Sequence, residues 1–324
     1  MPLERRKFLQ LAGLGIASAL LSPKASHAGN FIAKRFLSLP PKKLPFITPN
    51  DRFYIVQCCG VQNIDLAKWS LTIIGQRTIR LSYADIVKMP YVERMVTLQC
   101  IDNEVAGELI SNAVWRGVPL SALLNEVQPS SFAQDVVMIG ADDYSDSITL
   151  ERAIHYDVFL AYQMNGVPLP KEHGFPLRAV VPGIYGIKNV KWLTKIEVVG
   201  HDFKGYWQKK GWTDEGTIKV KSRIDDPGPY NTIRGRYTVR GYAFSGYNGI
   251  GSVELTFNGG KTWVSADLKK PPIPSKKTPA SERGLRSSSD VFSPYSWVFW
   301  EYDWKPPKQG PYEIAVRATD RIGR

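Results

Sequence analysis

Cysteine is scarce in this 324-residue chain: Cys58, Cys59 and Cys100 are too few for a disulfide scaffold or a four-ligand zinc ribbon. The four histidines show no metal-ligand spacing, and His27 lies in a segment expected to be removed. No Gly-x-Gly-x-x-Gly, P-loop, Gly-x-Ser-x-Gly or His-Glu-x-x-His string occurs, which leaves nucleotide, esterase and zincin chemistry without support. A Cys-x-x-Cys-His haem attachment string is missing too. The longest apolar run, residues 8–22, has 15 residues, short of the ~18 that span a bilayer, so no stable membrane span is expected. Acidic residues are in deficit, 30 against 42 Lys plus Arg, for a net charge of +12. That surplus suits anionic partners of several kinds and selects none, and no nucleic-acid partner is expected.

What is present describes a folded chain. Hydrophobic residues make up 43% and aromatics 11%, which excludes extensive disorder, and the length provides for about two domains. Arg5-Arg6-Lys7-Phe8-Leu9, an apolar middle and the small residues before position 28 read as a cleavable signal of the twin-arginine type, which exports folded proteins. A periplasmic or otherwise exported protein is expected. Loss of Arg5, Arg6, Lys7 and Lys24 with Glu4 lowers the net charge from +12 to +9.

Residues 30–50 are rich in proline and basic residues and read as an extended leader lying on the fold. Trp69, Leu71 and Ile73 alternate with polar neighbours as in a strand. Ser82 and Asp85 form a capping-box pattern opening a short helix that Pro90 stops, and Leu120, Leu123, Leu124 and Val127 mark another helix. The stretch 223–230, with two prolines and a glycine, reads as a domain boundary, after which only strand patterns follow. Val253, Leu255 and Phe257 alternate before an Asn258-Gly259-Gly260 turn, and residues 237–244, 296–304 and 312–318 are strand-like. About five strands are counted where an immunoglobulin-like sandwich uses about seven. Either an edge is short or the natural C-terminus lies beyond Arg324. The basic stretch between Lys269 and Asp290 reads as a solvated loop.

Cys100, in TLQCIDN, ends an apolar strand-like run where a thiol can be exposed as nucleophile or soft-metal ligand, or be a buried inert residue. Together with NAVWRGVPL (residues 112–120), AYQMNGVPLPKEHGFPLRAVVPG (161–183) and VKWLTKIEV (190–198), this string resembles the sulfite oxidase family of molybdenum enzymes. RGYAFSG, VELTFNGGKTW and VRATD look like that family's immunoglobulin-like dimerisation domain. The resemblance implies an α+β fold with a signal over 1–28, a molybdopterin-binding domain over 29–219 and an incomplete β-sandwich over 220–324. It also implies a homodimer and oxygen-atom transfer on a small molecule. With no haem motif, electrons would pass to a separate carrier such as a c-type cytochrome.

By the same resemblance Cys100 would bind molybdenum as a soft, anionic thiolate. His173, Arg178 and Lys191 would anchor the cofactor's pterin and phosphate, with Asp142, or Asp143 beside it, at the pterin ring. Two family arginines are matched by Val56 and Val105, and the family's active-site tyrosine by Trp212. Two valines and an indole make a poor site for a small dianion, so sulfite is an unfavoured substrate, nitrate fails by the same argument, and a less charged sulfur or nitrogen compound is expected. Cys58 and Cys59 are neighbours, and the strained ring that a bond between them would close favours two free or buried thiols. The rival reading is a cofactor-free binding or adhesion module on the same scaffold.

Overall fold

The computed structural model describes residues 44–104, 107–269 and 293–324. The signal, most of the leader and the basic stretch after Lys269 fall outside the described residues, as does Val105. The first part of the chain runs β1 (Leu71–Ile74), β2 (Thr78–Leu81), α1 (Tyr83–Lys88), β3 (Val92–Gln99), β4 (Ile110–Pro119), α2 (Leu120–Val127), β5 (Asp135–Gly140), β6 (Ser145–Thr149), α3 (Leu150–Ile154), β7 (Phe159–Met164), β8 (Val167–Pro168), β9 (Arg178–Val180) and β10 (Leu193–Val199). One sheet has the order β2-β1-β10-β5-β6 and a second the order β3-β4-β7-β8, with β9 also paired to β7.

Local chemistry accounts for several of these elements. Ser82 accepts the Asp85 N–H while Asp85 accepts that of Ser82, so both backbone donors at the start of α1 are satisfied. Leu120, Leu123, Leu124 and Val127 of α2 fall on one helical face and are fully buried in the same cluster as Trp69, Leu71 and Ile73. β3 and β4 form a long antiparallel pair from Val92↔Gly117 to Gln99↔Ile110. Cys100 is the first residue past this ladder, its N–H donating to Leu109 O at 2.9 Å. The hairpin therefore fixes the backbone on which the thiol sits.

The second part comprises β11 (Lys221–Asp226), β12 (Tyr237–Phe244), β13 (Ile250–Thr256), β14 (Val264–Ser265), β15 (Asp267–Lys269), β16 (Val298–Trp304) and β17 (Ala315–Asp320). Sheets β11-β12-β16-β15 and β14-β13-β17 enclose a core containing Val239, Leu255, Val298, Trp300 and Trp304. Seven strands among the described residues correct the expectation of about five. The additions are β15, which is very short, and β11, whose KSRIDD has no alternation. β11 is held by its ladder to β12, so the first four residues of the stretch read as a domain boundary, 223–226, are strand. Arg223 of β11 pairs with Asp225 at 2.6 Å and donates to Gly107 O at 2.7 Å, tying the two parts together.

More contacts join them along the free edge of β3. Thr97 N–H donates to Tyr295 O and Trp297 N–H to Thr97 Oγ1, both at 2.9 Å, while Trp297 Nε1 donates to Phe46 O at 2.9 Å. The leader from Leu44 onward, the sandwich and the edge strand thus cover one another, leaving this stretch of edge closed to a further strand. No described helix is long and apolar enough to cross a membrane.

Candidate functional site

Six separated segments meet around a cleft of about 880 Å³, measured out to its mouth. Its walls come from residues 53–58, the end of β3 with Cys100–Asp102, the β5–β6 turn, residues 172–178, residues 186–192, and Trp207 with Trp212. Cys100, Val56, Trp212, Asp142, His173, Arg178 and Lys191 all line it. Val105 is outside the described residues. Cys100 is 7% exposed, which chooses the buried thiol over the open one of the two states the sequence allowed; burial pushes the thiol up to about 11. Burial outweighs the backbone hydrogen bonds from Asp102 and Ile101 that favour the thiolate, so a cation beside the sulfur would be needed to hold it ionised.

Two cations share this cavity without a carboxylate partner within 4 Å among the described residues. Arg178 opens β9 and is 5% exposed. It donates from Nε, Nη1 and Nη2 to the carbonyls of Ala179, His173 and Asn189 at 3.3, 3.2 and 3.2 Å, with its guanidinium 5.0 Å from the centre of the Trp115 ring. Burial lowers it to about 10. Lys191 donates to Gln57 Oε1 at 2.7 Å and Glu172 O at 3.0 Å, and lies 4.3 Å from the centre of the Trp192 ring. Burial, then the Arg178 charge, lowers it to about 7. Two desolvated cations whose protein partners are mostly neutral are stabilised by an incoming anion, which is the electrostatic signature of a phosphate seat.

The backbone is shaped to bring these groups together. Gly174 has φ +105°, and a Cβ there would come within 3.0 Å of Arg178 Cβ and 3.2 Å of Lys191 Cβ. Only glycine lets the chain from His173 turn so closely against both. Burial lowers His173 to about 4, so its ring is neutral; Nε2 lies 2.8 Å from Asn50 O, a pure acceptor, which assigns the proton to Nε2 and leaves Nδ1 an acceptor. Of the two adjacent aspartates, Asp142 lines the cavity, accepts the Tyr144 N–H at 3.3 Å and has its carboxyl raised by burial. Trp212 stacks obliquely on Trp207 at 4.8 Å between ring centres. Their loop is anchored where buried Lys188 donates to Asp146 at 3.0 Å and Asp214 at 3.1 Å.

Several lining groups escaped the sequence reading. Tyr54 is a half-buried phenol raised by desolvation and then by Cys100, and Tyr144 donates to Ile187 O at 2.7 Å. Gln57, Asn189 and Trp207 line the cleft as well. Tyr54 and Gln57 lie within FYIVQC, the stretch read only for its missing arginine, and Asn189 directly precedes VKWLTKIEV; no periodicity marks them. Cys58 and Cys59 are joined by a disulfide, against the expectation of separate thiols. The chain bends at these two residues, and their side chains turn toward each other.

A thiol for a soft metal, a phosphate seat and a neutral imidazole in one cleft form a donor set suited to a molybdopterin with its metal. Residues 59–207 match the model of the oxidoreductase molybdopterin binding domain, and residues 216–323 that of the Mo-co oxidoreductase dimerisation domain. Sulfite oxidase of Arabidopsis thaliana is 31% identical over 322 residues, covering 82% of this chain and 80% of that protein. Mitochondrial sulfite oxidase of Rattus norvegicus is 32% identical over 335 residues, covering 88% of this chain and 58% of that one. The chain thus spans little more than half the length of the mammalian relatives it matches. The crystal structure of the sulfane dehydrogenase SoxCD from Paracoccus pantotrophus agrees with a TM-score of 0.72 at 22% identity, over 91% of this chain and 81% of that one, a likeness of fold. With the donor set and both halves matched, the chain belongs to the sulfite oxidase family of molybdopterin oxidoreductases.

Proposed function

We propose that the protein is an exported, molybdenum cofactor-dependent oxidoreductase that moves an oxygen atom to or from a small sulfur or nitrogen compound of low charge. The observation that carries this reading is the convergence of Cys100 with two desolvated cations, the buried Arg178 and the half-buried Lys191, in one cleft. Arg178 and Lys191 would hold the phosphate, Asp142 and the neutral His173 the pterin, and Cys100 the metal. When bound, that group supplies oxygen-atom transfer and accepts or donates the accompanying electron pair. The chain's own residues then orient and exclude. Trp207, Trp212 and Val56 line the cleft with largely apolar surface, so a substrate against them would shed water without gaining a counter-charge from these side chains. The rival reading, a cofactor-free adhesion module, gives no reason to desolvate two cations in one cleft with no carboxylate within 4 Å of either among the described residues.

The boundary between cofactor domain (29–219) and sandwich (220–324) belongs to this proposal, supported by sheets that share no strand across it. Export through a twin-arginine signal, a periplasmic location, a homodimer through the sandwich and electron delivery to a c-type cytochrome complete it. The test is metal and pterin analysis of the purified protein, followed by steady-state assays with an artificial electron acceptor. One molybdenum per chain is expected, with a less charged sulfur or nitrogen compound preferred to sulfite, an oxide of this kind being assayed with an artificial electron donor in place of the acceptor. A specificity constant for sulfite above ~10⁵ per molar per second would refute the substrate assignment, because each ~1.4 kcal/mol of lost transition-state binding costs tenfold. Absence of molybdenum and pterin would refute the enzyme.

A further inference from the structure

Cys58 and Cys59 are bonded to each other across two different surroundings. Cys58 is half-buried and lines the cleft, its Sγ 4.0 Å from Asp142 Oδ2, whereas Cys59 is exposed. The neighbouring Gln57 accepts a hydrogen bond from Lys191 at 2.7 Å, so the pair stands on the wall that carries Lys191 and Asp142. A disulfide with one sulfur in solvent and the other on a cavity wall is open to a nucleophile from outside, and its cleavage delivers the second sulfur to the cavity. The oxygen chemistry proposed above makes no use of it.

We propose that Cys58–Cys59 is a thiol-exchange site that takes small or peptide-borne thiols at Cys59 and converts the cleft wall from disulfide to dithiol. An incoming thiolate attacks Cys59 Sγ; a Cys59–sulfur bond to the thiol forms, the bond to Cys58 breaks, and the electron pair leaves on Cys58, which takes up a proton. A second thiolate attacks the outer sulfur of the mixed disulfide, the two thiols leave as one disulfide, and Cys59 departs as thiolate and is protonated. Two thiols are oxidised, the protein disulfide is reduced by two electrons, and two protons pass from the thiols to the cysteines. No other oxidant is required. The order of attack follows from access, since Cys59 is exposed and Cys58 is half-buried.

The inference stands apart from the assignment of the metal site, and its test reads mass rather than turnover. The full-length protein as purified is treated with N-ethylmaleimide before and after native-state reduction by dithiothreitol, and labelled peptides are identified by mass spectrometry. Cys58 and Cys59 should be unlabelled before reduction and both labelled after it, with the buried Cys100 unlabelled throughout. Labelling of the pair without reductant would overturn the proposal, as would a bond that dithiothreitol reaches only in denaturant. A second arm exposes Cys58→Ser and Cys59→Ser proteins to glutathione disulfide. The glutathione adduct should form at Cys59 at least about tenfold faster than at Cys58; equal rates would remove the directional exchange claimed here. Should either variant fail to fold, the labelling of the unaltered protein still decides.

Discussion

Lys191→Met tests the phosphate seat through two effects of opposite sign. In the cofactor-free protein burial lowers Lys191 from 10.5 to about 7. At ~1.36 kcal/mol per pH unit, the cost of keeping the amine charged is at most roughly 5 kcal/mol, and about 2–3 once water at the partly open wall is allowed for. The unfolded chain keeps its proton to near pH 10.5 and the folded chain to about 7, so the unfolded state binds more protons between these values and stability rises with pH across that window. Below pH 7 the full penalty is present. Urea unfolding of cofactor-free protein at pH 7 and 9.5 should therefore show a gain in the unaltered chain that exceeds the gain in Lys191→Met by about 2 kcal/mol. Cofactor binding should run the other way. A phosphate beside the amine draws the proton back, so above pH 7 pterin retention by the unaltered protein should fall as pH rises, while the variant holds pterin weakly at every pH. A contact of this kind contributes ~1.5–3 kcal/mol, a loss of roughly 10- to 150-fold in affinity. Parallel pH dependences in the two proteins, or undiminished pterin in the variant, would refute the reasoning.

Cys100→Ser should lose molybdenum by elemental analysis while its unfolding midpoint moves little, because the thiol contributes one small buried side chain; a variant with full metal would show that another group is the ligand. Asp157→Asn should cost about 3 kcal/mol in denaturant unfolding, since Arg152 and His155 lose a shared, fully buried carboxylate. Burial raises that carboxyl, but Arg152 and His155 outweigh it and the net shift is downward, so its stabilisation is present above the usual carboxylate range and lost on acidification; the variant's acid limb should be shallower. Changing Arg5 and Arg6 to Lys should leave cofactor-loaded protein in the cytoplasm, as read by fractionation, and undisturbed export would favour the general secretory route.

Much of the framework was legible in the sequence because it is written at short range. The alternation of Trp69, Leu71 and Ile73, the three-and-four spacing of Leu120, Leu123, Leu124 and Val127, and the Ser82–Asp85 capping pair are properties of a few consecutive residues, and each became the element it implied. β11 was illegible for the same reason: KSRIDD has no apolar face, and only its ladder to β12 makes it a strand. At the cleft, the motif strings supplied Cys100, Arg178 and Lys191 as residue types. Their environment could not be read from them. That Arg178 lies over the ring of Trp115, that Lys191 rests on Gln57 from 134 residues away, and that Tyr54 and Asp142 line the same cleft depend on segments far apart in the chain. The sequence determined which donors the protein possesses. Tertiary structure alone decided which of them lost water and went without a counter-charge, because desolvation and Coulomb energy depend on everything packed around a group and not on its neighbours in the chain.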